Sequence, residues 1–149
     1  MGAWGVRPPW AVLVVLLASC ARTPDLSVCL PPDGRFELRY VHSVERTPVV
    51  ERYRVWDRSL WLEGMRFQSL GWGLPAEGFV RRGGWFETTG PPRRMDGLVL
   101  RVSHQVRPEL AAGQQTLPLY RRVPDGAALR LEVSSGGGCP ERLLLRPAP

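Results

Sequence analysis

Residues 36–55 limit the fold of this chain more than any other stretch. On a first arm Phe36, Leu38, Tyr40, His42 and Val44 alternate with Arg35, Glu37, Arg39, Ser43 and Glu45. On a second, Val49, Glu51, Tyr53 and Val55 alternate with Val50, Arg52, Arg54 and Trp56. Successive side chains of a strand point to opposite faces, so a period of two means two half-buried strands. A reversal at Arg46-Thr47 predicts a hairpin that pairs Leu38 with Val55, Tyr40 with Tyr53, His42 with Glu51 and Val44 with Val49. A four-residue loop Glu45–Pro48 keeps the same register and suits the sequence as well, because Arg46-Thr47 lacks the glycine or asparagine of a two-residue hairpin. Pro48 cannot donate to a ladder and fits a strand start or an edge.

This register sets ionisable side chains among aromatics on the inward face. A histidine and a carboxylate are costly to bury unless they satisfy each other or a ligand. His42, Glu51, Tyr40 and Tyr53 are therefore the candidate ligand-binding or inward polar site. A neutral core histidine bonded to a buried glutamate, with no ligand, would leave the same pattern.

The N-terminus predicts export. Arg7 precedes an apolar run from Trp10 to Ala18, too short to span a bilayer and of the length of a signal-peptide core. The run ends in Leu17-Ala18-Ser19-Cys20, the pattern of a bacterial lipobox. Cleavage before Cys20 would put lipid on its sulfur, and several acyl chains hold a protein on a membrane almost permanently, at about 0.8 kcal/mol per buried methylene. The expected organisation is a lipoprotein signal peptide over 1–19, a lipidated Cys20 with a tether through 28, and one domain over 29–149. No later segment reads as a transmembrane helix. Of the three cysteines, Cys29 and Cys139 remain for a disulfide in an oxidising compartment, with two free buried thiols as the alternative.

Loss of the leader leaves 19 arginines against 14 acids, a net charge of +5 without a lysine. Such a balance suits an anionic partner, a lipid head group or an acidic protein face, but a GC-rich genome produces the same bias. An outward-facing lipoprotein does not meet nucleic acid.

The rest of the chain reads as strands. Pro31-Pro32-Asp33-Gly34 and Asp57-Arg58-Ser59 are turns. Leu60–Leu70 is extended, with Trp61, Met65 and Phe67 on one side and Gly64 at a bulge. Val80–Phe86 forms two short strands around Gly83-Gly84, and 98–102, 128–133 and 142–146 are later strands. A short helix fits 109–112. Turn signals every 8–15 residues without a helical period predict a single all-β domain, an antiparallel β-sandwich or open barrel.

Rival chemistries are weakly encoded. In His42-Ser43 and Ser103-His104 the two side chains of each dipeptide would point to opposite faces of a strand, so neither forms a dyad by itself. A metal site from His42, Glu51 and His104 would need a favourable fold, and no zinc-type cysteine spacing exists. No catalytic residue, metal or cofactor is expected. Gly71-x-Gly73 reads as a bulge or tight turn, since no helix follows to cradle a phosphate. Trp56, Trp61, Trp72 and Trp85 are candidates for a carbohydrate platform or for core filling. Trp72, in the glycine-rich loop, is the one expected at the surface, where it suits a protein interface.

Tyr40-Val41-His42-Ser43-Val44-Glu45-Arg46-Thr47-Pro48-Val49 with Glu51 and Tyr53, followed by Phe67–Pro75, resembles domain-of-unknown-function family 1850 over residues 26–133. Trp72 stands where a smaller residue is more usual. The resemblance implies a small exported bacterial protein encoded beside TRAP transporters of the TAXI type, ion-driven importers of organic anions. It implies no established activity. The expected function is thus that of a non-enzymatic, membrane-tethered accessory to a TRAP permease or its TAXI solute-binding protein, with Arg46, Thr47 and Trp72 as the recognition surface. An independent small-molecule or carbohydrate-binding module of the cell envelope is the alternative.

Overall fold

The computed structural model of the chain describes residues 25–136 and 138–149. The expected leader, Cys20 and the first part of the tether lie outside the described residues. The first strands are β1 (Leu26–Cys29), β2 (Arg35–Val41), β3 (Pro48–Trp56) and β4 (Ser59–Phe67). Then come β5 (Phe79–Arg82), β6 (Trp85–Thr88), β7 (Arg93–Arg94) and β8 (Val99–Arg101). The last are β9 (Glu109–Ala112), β10 (Gln115–Pro118), β11 (Ala128–Gly136) and β12 (Cys139–Pro147). One 3-10 turn, Leu119–Arg121, is the only helical element among the described residues.

All pairings are antiparallel. A smaller sheet runs β1-β12-β11-β8; a larger one runs β10-β9-β2-β3-β4-β6-β5, with β7 also on β4. The sheets do not close into a barrel, so the fold is a β-sandwich. Leu129, Leu131, Leu143 and Leu145 of the smaller sheet meet Phe36, Leu38, Tyr53, Val55, Leu60 and Leu110 of the larger in one core. Burial of each such leucine contributes about 1.5–3 kcal/mol. Phe67, Phe79 and Phe86 form a second, aromatic cluster, with centroids 5.1–5.6 Å apart.

Cys29 and Cys139 are bridged, their Cα atoms 5.6 Å apart, which ties edge strand β1 to β12. The domain begins earlier than expected: Leu26 already pairs with Leu145, so residues 26–28 belong to the sandwich and not to a tether.

Three local readings change. The hairpin of β2 and β3 is displaced by four residues from the expected register: Phe36 faces Tyr53, Leu38 faces Glu51 and Tyr40 faces Val49. Its connection is longer than expected, because the His42 N–H bonds to the Thr47 carbonyl and Arg46 takes a left-handed φ of 57°. A displacement by an even number keeps every inward residue inward. In β4 the ladder passes from Arg52↔Gly64 to Tyr53↔Leu62, leaving Glu63 as the extra residue of a bulge. Trp61 consequently faces out while Met65 and Phe67 face in. Finally, residues 109–112 are strand β9, not a helix, because they complete the edge beside β2 and bury Leu110, Ala111 and Ala112 there.

Candidate functional site

The even displacement keeps three of the four predicted site residues together. Glu51 and Tyr53 are separated by two positions on β3, and Tyr40 lies diagonally across on β2. The Tyr40 phenol donates to Glu51 Oε1 at 2.9 Å, and the Tyr53 phenol to Oε2 at 2.6 Å. Both carboxylate oxygens are thus bound, by charge-assisted bonds of the stronger kind. Tyr53 is buried and stacks on Phe36, centroids 5.2 Å apart. Burial, reinforced by the neighbouring Glu51 charge, pushes both phenols well above the ordinary tyrosine pKa.

The predicted His42–Glu51 pair does not form. His42 lies beyond the end of β2 and turns into the hairpin tip. Its Nδ1 accepts the backbone N–H groups of Val44 (3.3 Å) and Glu45 (3.1 Å), which fixes the tautomer. Nε2–H therefore donates to the Trp72 carbonyl at 2.9 Å. With its ring atoms committed to backbone, His42 leaves the register, which is why the ladder slips.

Tyr40, Glu51 and Tyr53 line a cleft of about 420 Å³ at the side of the sandwich. Its walls are apolar, with Leu62 and Met65 from β4 and Met95, Leu98 and Leu100 from the segment that crosses to the smaller sheet. Arg93 and Arg101 line it as well, both side chains exposed, and Gly73 borders it. Sequence reasoning missed the two arginines. They come from a two-residue strand and from the end of edge strand β8, and no motif joins them to the hairpin.

The predicted recognition residues converge around His42. The tip 42–47 and the loop 69–75 are clasped by the His42–Trp72 bond and by a hydroxyl bond between Thr47 and Ser69. A Cβ at Gly71 would stand 2.8 Å from Glu45 Cγ and 3.3 Å from His42 Cε1, so glycine permits the approach. The paired loops expose Val44 (66 %), Leu70 (54 %) and Trp72 (91 %) beside the exposed Arg46. Thr47 is half-buried at the seam.

Other candidates disperse. His104 Nε2 bonds the Val123 carbonyl at 2.9 Å, away from His42, and no group of three metal-ligating side chains occurs among the described residues. Gly71–Leu74 is a tight turn closed by the Leu74 N–H on the Gly71 carbonyl. Trp56 and Trp61 sit together on the outer face of the larger sheet, centroids 6.3 Å apart, while Trp85 covers the Arg66 guanidinium.

The family model described as Domain of unknown function (DUF1850) matches residues 36–119, more than half of the chain, and the chain belongs to that family. No curated protein and no solved structure matches it. The matched segment contains the Tyr40–Glu51–Tyr53 cluster, the whole cleft lining and both clasped loops.

Proposed function

We propose that this family member is a lipid-anchored, extracytoplasmic accessory protein without enzymatic activity that docks on a TAXI-type TRAP transporter. The observation that carries the docking part is the clasp of two loops by His42, which holds Trp72, Leu70, Val44 and Arg46 as one exposed surface. Exposed apolar side chains grouped around an arginine are the composition of an interface centre, and tryptophan and arginine dominate binding energy there. The lipobox at Cys20 supports the anchor, and the disulfide is in keeping with an oxidising compartment. The transporter as partner rests on the resemblance of the chain. A tether raises the local concentration of the domain over the membrane, so a weak interface suffices.

The test is affinity purification of the tagged full chain from gently solubilised native membranes. Recovery of a TRAP permease or TAXI protein with the wild type, lost with Trp72→Ala or Arg46→Ala, supports the proposal. Wild-type recovery without either component refutes it.

The cleft favours a second reading, a small-molecule binding module that works with or without a transporter. About 420 Å³ falls within the ordinary range of ligand sites, and an apolar lining with a few placed polar groups is their usual composition.

A further inference from the structure

We infer that the cleft is a site for a zwitterion, a small molecule that carries an ammonium, a carboxylate and an apolar part. The inference rests on the reading of the cleft as a ligand site and adds the chemistry of the ligand.

The first support is an anion without a cation. Glu51 lies on the cleft wall with its two oxygens each receiving one phenol, and no arginine or histidine is within ion-pair distance among the described residues. Each carboxylate oxygen can accept a further bond. The phenols of Tyr40 and Tyr53 hold that carboxylate on the wall, where an ammonium can pair with it.

The second support is the reverse situation on the same lining. Arg93 and Arg101 line the same cavity and neither joins an ion pair among the described residues. Arg101 spends one N–H on the Gly126 carbonyl at 3.1 Å, which orients the guanidinium and leaves other donors open. Arg93 lies near enough to Tyr53 for its charge to work against the upward shift of that phenol. Each guanidinium presents a fork of donors that matches a carboxylate.

The rest of the lining is largely apolar, with Leu62, Met65, Met95, Leu98 and Leu100. Methionine adapts to irregular aliphatic chains. A simple organic anion would satisfy the arginines and leave Glu51 unanswered, and a simple amine would answer Glu51 and leave the arginines unpaired. A ligand that carries both charges answers both.

The experiment uses the full chain in mild detergent and calorimetric titration with ω-amino carboxylates of four to eight carbons. Each is compared with the alkanoate and the alkylamine of the same length, so that no charge spacing is assumed. The expected result is one amino carboxylate binding about tenfold or more tighter than either singly charged partner, one charge-assisted contact being worth that factor. Glu51→Gln should reduce its affinity to that of the alkanoate, and Arg93→Gln with Arg101→Gln to that of the alkylamine. The arginine pair is exposed and keeps the test decisive if the Glu51 variant does not fold. Equal binding of alkanoate and amino carboxylate, unchanged by Glu51→Gln, would overturn the zwitterion and leave a ligand site for anions. No binding of any probe at millimolar concentration would overturn both the zwitterion and the ligand reading of the cleft.

Discussion

Tyr53→Phe removes one oxygen atom from the interior and tests the central polar cluster. The ring, its burial and its stack on Phe36 all survive the change, so the loss isolates the bond to Glu51 Oε2. A hydrogen bond to a charged acceptor contributes about 1.5–3 kcal/mol, and loss of the donor here leaves a carboxylate oxygen unsatisfied in a mostly apolar cleft. The expected cost is about 2 kcal/mol. Tyr40→Phe should cost less, about 1 kcal/mol, because its bond is longer and its ring only half-buried. With both phenols gone Glu51 keeps no donor among the described residues, and the double variant should exceed the sum of the singles by about 1 kcal/mol. Thermal unfolding followed by tryptophan fluorescence reads the effect, about 4 °C per kcal/mol for a domain of this size. If both single changes stay within about 0.5 kcal/mol and add without coupling, the carboxylate is solvated and the phenols are not its support.

Four further outcomes follow. His42→Phe should speed amide exchange in 43–47 and 71–75 while the core strands keep their protection, because two backbone N–H groups and the Trp72 carbonyl lose their partner; unchanged loop exchange would exclude the clasp. Arg58→Gly should stabilise by about 0.5–1 kcal/mol in thermal unfolding, since Asp57 and Arg58 hold left-handed φ values of 50° and 57° in the turn between β3 and β4. Reduction of the Cys29–Cys139 bridge, which spans 110 residues, should lower stability by about 5 kcal/mol on the loop-closure account, read from melts with and without reductant. Alkaline titration of phenolate absorbance should find Tyr40 and Tyr53 protonated well above the ordinary value of 10.0 until the protein unfolds. Because the folded state holds these protons more tightly, their contribution is complete below about pH 10 and declines as pH rises beyond it.

Parity was legible in the chain and register was not. The alternation in 36–55 assigns Tyr40, Glu51 and Tyr53 to one face whatever the pairing, since displacement by any even number preserves it. The pairing itself depends on the turn, and this turn carries no glycine. Arg46 takes the left-handed position, and a histidine ring replaces the backbone bonds that a shorter hairpin would have made. A composition rule reads glycine and asparagine, not a ring nitrogen acting as a cap. The inversion of Trp61 has a similar cause. Gly64 signalled an irregularity, but only the ladder shows that Glu63 is the residue left over. The segment Glu109-Leu110-Ala111-Ala112 has helix-forming residues and is a strand because the open edge of β2 offers it hydrogen bonds and burial together. The arginines of the cleft were not legible at all, for they share its lining with Glu51 only once β7 pairs with β4 and β8 joins the smaller sheet.

The clasped loops and the cleft are neighbours, and this has a consequence for how they should behave. Gly73 follows Trp72 directly and borders the cleft, while Trp72 is held to the hairpin tip through His42. A partner seated on Trp72 would therefore press on a residue next to one of the cleft lining. If docking changes ligand affinity by any factor, the ligand must change docking affinity by the same factor. The two loops distinguish a route from mere proximity. Trp72→Ala deletes the exposed ring but keeps the backbone carbonyl that His42 holds, so binding of the best amino carboxylate by the isolated protein should stay within about twofold, or 0.4 kcal/mol. His42→Phe releases that carbonyl and should change the same affinity by about threefold or more, or about 0.7 kcal/mol. Titration of both variants with one probe measures this. Equal affinities for the two would show that the cleft does not depend on the clasp, and docking and ligand binding would then be separate properties of one domain.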